Sequence, residues 1–453
     1  MEQLNNFLGK ADSIASWPMF ILLIGGGLFL VFYSKLLPYR FLGHAIAITI
    51  GKYDDITAKG DVSSLQALSA AVAATVGLGN ISGVAIAIYT GGPGVVFWIW
   101  ITALIGMCIK FYSGSLAIMY RGVDSDGNLQ GGPMFYIVQG LGKKWKPLAN
   151  FFCIAGLFGF LGVFTANQFT DTFMNVVRPA ESIFDMSDFN WRFTIGLLLA
   201  VISSIVIFGG LKRIAKVATA IVPFMVLVYL VAVLVVITLN IDKVIPSLKL
   251  ILTEAWNFKT GFTGTFWGLV IIGVKRAMFS NEAGLGSAPM YHGQSKNNEP
   301  IREGLVAMLG PFIDTILVCT FTAVVLILSG AYLENANGIV MTLNAFTTSL
   351  GSWGGVLLMV IVSAFALSTL FTYSYYGVKS LSFLTNAKIG KLYNVYFVVM
   401  IILAAVVSLD VVIKLIDLSY ALMVIPNMIA VLLLAPKVNK AAKEYFQKLK
   451  RES

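Results

Sequence analysis

Residues 75–80 read Thr-Val-Gly-Leu-Gly-Asn in the middle of an otherwise apolar stretch, with Ser82 and Gly83 close behind. Two glycines and an amide weaken a helix where no water can satisfy freed backbone groups. Irregular backbone at membrane depth is tolerated only where it lines a cavity or is buried in protein. Such a break can do two kinds of chemistry. The N–H groups of Gly77 and Gly79, with no Cβ to block approach, can hold an anionic group at the N-terminus of the second half-helix. Carbonyls released from the first half can hold a cation, and Thr75 adds a hydroxyl. Asn80 either serves a second cation or stabilises the break, because close helix packing alone calls for small residues and not for an amide.

Further candidates lie in other apolar stretches. Residues 165–171 read Thr-Ala-Asn-Gln-Phe-Thr-Asp, and adjacent polar residues facing lipid would be costly. Gln168 is expected to reach a ligand, since its amide both donates and accepts; the competing explanation is interhelical hydrogen bonding, worth about 0.6–2 kcal/mol per contact. A second interruption is expected near residues 273–279, where Gly273, Val274, Lys275 and Arg276 follow an apolar run. Charge at that point comes too early for a simple exit from a span reaching residue 290, the alternative being a helix that ends at Gly273. Asp171 and Asp314 are intramembrane acids and so functional candidates, either as a proton or cation coupling group or as partners that neutralise Lys275 or Arg276, the pairing being the preferred role. Asn281 and Glu282 read as gate or helix-end residues.

The elements that must position these groups follow from composition. Of 453 residues, 58 % are hydrophobic and 12 % charged, with a mean hydropathy of +0.84; soluble domains are about a quarter charged. The chain is therefore an all-α polytopic membrane protein in the lipid bilayer. Eleven stretches reach spanning length: 17–38, 64–89, 94–120, 150–177, 192–209, 213–240, 261–290, 302–330, 354–383, 393–409 and 413–434. The first interrupted span is second and the next is seventh, which divides the last ten spans into two sets of five. An odd number of spans gives the sets opposite orientation, the inverted-repeat arrangement of transporters, with one extra helix in front. The organisation is then 1–63 (external N-terminus, extra helix, cytoplasmic loop), 64–240 (first repeat), 241–260 (external loop), 261–434 (second repeat) and 435–453 (cytoplasmic basic tail).

The net charge of +10 is an orientation signal. Pooling alternate loops puts twenty-three basic residues on the side of the C-terminus and seven on the other, which places the C-terminus in the cytoplasm and the N-terminus outside. A nucleic-acid partner is thereby excluded as the reason for the charge. Cys108, Cys153 and Cys319 fall inside spans without paired spacing and read as small buried hydrophobes. No metal or nucleophile motif marks an enzyme, and no filter segment of the Thr-Val-Gly-Tyr-Gly kind marks a channel. No cofactor is expected, and no motif assigns an oligomeric state.

Residues 75–87, Gly92-Pro93-Gly94 with Phe97-Trp98, Gly131-Gly132-Pro133-Met134-Phe135-Tyr136 and Phe279-Ser280-Asn281-Glu282-Ala283-Gly284 together resemble the alanine/glycine:cation symporter family of the amino acid–polyamine–cation superfamily. The resemblance runs over essentially the whole chain. It implies a leucine-transporter-type fold and import of small neutral amino acids, alanine and glycine, coupled to sodium, with protons as the alternative. It also implies roles. Thr75, Gly77 and Gly79 would hold the substrate carboxylate, and backbone carbonyls of Gly273, Val274, Lys275 and Arg276 the ammonium. Sodium would sit on carbonyls of Ala73, Val76 and Phe365 and hydroxyls of Ser368 and Thr369.

Overall fold

The computed structural model describes residues 2–53, 58–178, 186–257 and 266–452. Apart from a two-stranded hairpin pairing Gly122–Val123 with Leu129–Gln130, the regular elements described are helical. Ten described helices are long and apolar enough to cross a membrane, each matching one of the expected spans. The other expected span, 261–290, is not a single helix. It is a sixteen-residue helix, Phe266–Asn281, a non-helical stretch, and the short helix Ala288–His292. Its first residues, 261–265, lie outside the described ones.

Burial grades the elements. The helical window in Ser64–Gly91 is 94 % buried, against 33 % in Asp188–Ile207 and in Gly210–Leu239. The segment with the first break is thus the centre of the molecule, and the latter two present apolar residues such as Ile205, Leu227 and Leu239 outward, as lipid contact requires.

The elements used below are, in chain order, α1 (Glu2–Phe20), α2 (Ser64–Thr75), α3 (Leu78–Gly91), α4 (Val95–Met119), α5 (Val163–Val176), α6 (Gly210–Leu239), α7 (Phe266–Asn281), α8 (Ala288–His292), α9 (Pro300–Ala307), α10 (Ile339–Leu350), α11 (Ser352–Leu384) and α12 (Leu409–Glu452). A π-helical segment, Phe312–Cys319, follows α9. Three of these differ from expectation. The stretch 241–260 holds the helix Ile241–Glu254, α10 folds inside a connection that carried no expected element, and the basic tail continues α12 to Glu452.

The first break forms as the glycines dictate. α2 opens with a capping box in which the Ser63 hydroxyl accepts from Gln66 N and Gln66 Oε1 accepts from Ser63 N. It stops at Thr75. Val76 turns out of helical geometry with ψ 88°, Gly77 is extended, and α3 begins at Leu78. α7 lies against α3: a Cβ on Gly91 would touch Leu269 at 3.0 Å, and one on Gly79 would touch the Phe279 ring at 3.0 Å. This register brings the end of α7 to the depth of Val76–Gly77.

Candidate functional site

Around the first break the Thr369 hydroxyl of α11 meets the end of α2. Thr369 Oγ1 donates to Ala73 O at 3.4 Å, and a Cβ on Gly77 would lie 2.3 Å from that hydroxyl. Ser368 Oγ donates to Phe365 O at 2.9 Å and approaches Met225 Sδ of α6 at 3.4 Å. Ala73, Val76, Phe365, Ser368 and Thr369 are thus gathered in one buried place, with Val76 turned out of the helical ladder beside them. Three carbonyls and two hydroxyls of this kind suit a hard monovalent cation. Thr75 Oγ1 turns back to Ala71 O at 3.2 Å.

Asn80 stabilises the break. Its Oδ1 accepts from Gly77 N at 3.3 Å, its Nδ2 donates to Asp314 O at 2.7 Å, and its own carbonyl accepts from Thr322. The π-helical winding of Phe312–Cys319 supplies the Asp314 carbonyl, in keeping with the use of such segments at functional sites. Gln168 is also fully engaged. Its Oε1 accepts from the Ser82 hydroxyl and from Ile339 N, at the start of α10, and its Nε2 donates to Asn167 and Asp171. Gln168 therefore ties α3, α5 and α10 together beside the break.

The second break is not where the charges suggested. α7 is continuous through Gly273, Val274, Lys275 and Arg276, so their carbonyls lie inside a helix and are not free to receive an ammonium. Gly273 is there for contact, since a Cβ would lie 2.6 Å from the Trp98 Cβ. Lys275 and Arg276 need no loop because they have acidic partners: Lys275 Nζ lies 2.7 Å from Oδ2 of half-buried Asp12 of α1, and Arg276 holds both oxygens of buried Asp417 of α12. They do not belong among the basic loop residues, and removing the two from the orientation count leaves its direction unchanged. Nor do they pair with Asp171, whose partner is Arg192 at 2.7 Å, or with Asp314.

The helix gives way at Asn281. Glu282, Gly284 and Gly286 all have positive φ (53°, 79° and 91°) before α8 starts at Ala288. Glu282 Oε2 accepts from Ser287 across the break, and Oε1 accepts from Tyr373 OH of α11 at 2.6 Å; Tyr373 in turn meets Tyr420 of α12 at 2.9 Å. Asn427 Nδ2 donates to Gly284 O at 2.7 Å. A sequence signal did exist: Gly284-Leu285-Gly286 repeats Gly77-Leu78-Gly79, and the two triplets fall at the two breaks. Phe279 closes the space between them, edge-on to Phe164 at 4.7 Å and near Tyr420 at 5.8 Å.

Polar contacts flank the breaks on both sides. Toward the start of α7 stand the Lys275–Asp12 and Arg276–Asp417 pairs. At the opposite end, Glu303 of α9 accepts from Ser64 of α2 at 2.8 Å and meets His292 Nδ1 at 2.7 Å. Arg121 there reaches the carbonyls of Lys59, Gly293 and Ser295. Burial pulls its guanidinium down to about 10, opposed by Glu303, so it remains charged at neutral pH.

Comparison with known proteins gives the family. The model of the sodium:alanine symporter family matches residues 1–453. The sodium/alanine symporter AgcS of Methanococcus maripaludis is 38 % identical over 96 % of this chain and 95 % of its own length. The probable sodium/glutamine symporter GlnT of Bacillus subtilis is 34 % identical over 99 % of this chain and 92 % of its own. Among solved structures, MhsT in complex with L-phenylalanine superposes with a TM-score of 0.55 at 15 % identity, covering 84 % of this chain and 98 % of that one, a likeness of fold alone. The chain belongs to the sodium:alanine symporter family, and it is a multi-pass membrane transporter.

Proposed function

We propose that this protein is a sodium-coupled symporter that imports small neutral amino acids, alanine and glycine, by alternating access. The observation that carries the reading is the meeting of two interrupted helices at one buried depth, with the Thr369 hydroxyl bonded to the Ala73 carbonyl beside Gly77. Sodium would take the carbonyls of Ala73, Val76 and Phe365 and the hydroxyls of Ser368 and Thr369. The substrate carboxylate would take the N-terminal end of α3 at Gly77 and Gly79, near Thr75. The ammonium role moves from residues 273–276 to the carbonyls freed past Asn281. Gln168 would act by positioning α10 over the site. The family description and the AgcS likeness support alanine and sodium; Phe279, wedged against Gly79 and Gly83, supports a small side chain.

The fold would be the leucine-transporter-type core of two inverted five-helix repeats, 64–240 and 261–434, after one extra helix, eleven spans in all. The C-terminus would be cytoplasmic, because the basic loops favour that side. The Lys275–Asp12 and Arg276–Asp417 pairs would then close the external path, and Glu303 with His292 and Arg121 the cytoplasmic one.

The test is uptake of labelled alanine into proteoliposomes under an imposed sodium gradient, with competition by glycine, glutamine and leucine. An extra methylene in a tight pocket costs about 1–3 kcal/mol, so glycine should compete and leucine should not. Equal uptake without sodium would reject the coupling, and stronger competition by glutamine than by glycine would reject the small pocket.

A further inference from the structure

One buried cluster is used by none of these roles. Lys110 of α4 projects from a face of small residues. A Cβ on Gly106, one turn before it, would meet Ala283 at 2.7 Å, and one on Gly114, one turn after, would meet Ala307 at 2.6 Å. Lys110 thus stands where α4, the second break and the chain following α9 converge. Its Nζ lies against Gly310, 3.1 Å from where a Cβ would be, about one turn before Asp314. The charges that act on it are those of Asp314 and Glu282. All three side chains are buried, at 2 %, 0 % and 1 % exposure.

The count of charge is odd. Two carboxylates and one ammonium leave one uncompensated negative charge. The other buried ionic groups of α7 do not offset it, because Arg276 is matched by Asp417 and Lys275 by Asp12. Ser280, Asn281 and Thr315, which line the same junction, are neutral, as is the Cys319 thiol that meets Ser280. Tyr373 reaches Glu282 as a hydroxyl, and Tyr420 meets the Tyr373 hydroxyl. An uncompensated buried charge costs several kcal/mol, so the cluster must take up one positive charge.

We propose that Lys110, Glu282 and Asp314 form a proton-binding site that holds one exchangeable proton beyond the lysine's own. A metal ion is disfavoured by the ammonium at one corner and by the hydroxyl donors already on both oxygens of Glu282. A proton needs a single lone pair: Asp314 Oδ1 accepts from Thr315, while Oδ2 makes no close hydrogen bond, because the Thr75 hydroxyl that faces this carboxyl turns back to Ala71 O. The step is a plain dissociation, carboxylic acid to carboxylate, with the proton passing to water when one end of the transporter opens. Its occupancy bears on both breaks: Glu282 bridges the second, and the Asp314 carbonyl holds Asn80, which holds Gly77 at the first. The coupling role rests on the transporter reading above; the existence of the proton does not.

The experiment is infrared difference spectroscopy of the purified full chain without sodium or alanine, following the carbonyl stretch of protonated carboxyl groups from about pH 5 to about pH 9. The wild type should show one such band at neutral pH. Glu282→Gln and Asp314→Asn should each lose it, because either change balances the lysine with a single carboxylate. Lys110→Met should double it, because two carboxyls then need two protons. Unchanged intensity in both carboxylate variants, no gain in Lys110→Met, or loss of the wild-type band on adding sodium at fixed pH would overturn the proposal. No substrate enters the measurement, so a failure to bind alanine would strike the proposed function and leave this result standing.

Discussion

The two breaks solve one problem with different chemistry. At Val76–Gly77 the backbone is held by neutral groups: the Asn80 amide takes Gly77 N, and Thr369 takes the Ala73 carbonyl. At residues 282–287 a carboxylate does the work, with Glu282 gripping Ser287 on its own segment and Tyr373 on α11. The first break spans two residues, Val76 turned out of the helix and Gly77 extended; the second needs three positive φ angles, one of them at a residue with a side chain. A neutral, short break is suited to a fixed ligand cradle. A charged, longer one is suited to an element that rearranges when its charge balance changes.

The largest effect should come from the charge that sits above the second break. Arg276→Ala leaves buried Asp417 with only the more distant Lys275, at 3.9 Å, a change expected to cost up to about 3–5 kcal/mol, read as a fall in melting temperature of the purified protein. Arg276→Met with Asp417→Leu should recover most of it, and a double variant as unstable as the single one would mean the pair does more than neutralise. At the first break, Gly77→Ala should cost about 1–3 kcal/mol by crowding the Thr369 hydroxyl. Adding Thr369→Ala should restore the melting temperature but not sodium-dependent binding. Wild-type stability in Gly77→Ala would show that the approach of α11 is loose. Asn80→Ala should fall in the same range, about 1–3 kcal/mol, from leaving Gly77 N without its partner. A matching loss from Glu282→Gln would blur the contrast between a neutral and a charged break.

Much of this was legible in the sequence, and the part that was not has a physical cause. Glycines beside an amide in an apolar run announce a break because no other explanation needs all three, so residues 75–80 were read at the right place. Of the adjacent hydroxyls at 368 and 369, Thr369 lies against α2, while Ser368 turns to Phe365 O and Met225. The second break was misplaced because Lys275 and Arg276 looked like a membrane exit, when Asp12 and Asp417 neutralise them from α1 and α12. Those partners are more than a hundred residues away in sequence, and pairing at that range leaves no local pattern. The local signal, Gly284-Leu285-Gly286 echoing Gly77-Leu78-Gly79, lay a few residues further on. Gln168 was read as a polar residue in need of a partner; that its partner includes the first residue of α10 depends on a helix folded inside a connection, which apolar length alone did not reveal.

The central claim is that a cation held between α2 and α11 is linked to substrate at the first break. It is tested most directly by calorimetric binding of alanine in sodium and in choline, for the wild type and for Ser368→Ala with Thr369→Ala. Linkage requires that sodium tighten alanine binding in the wild type and that the double variant lose this dependence while keeping its fold. Equal alanine affinity in sodium and choline for the wild type would contradict the account.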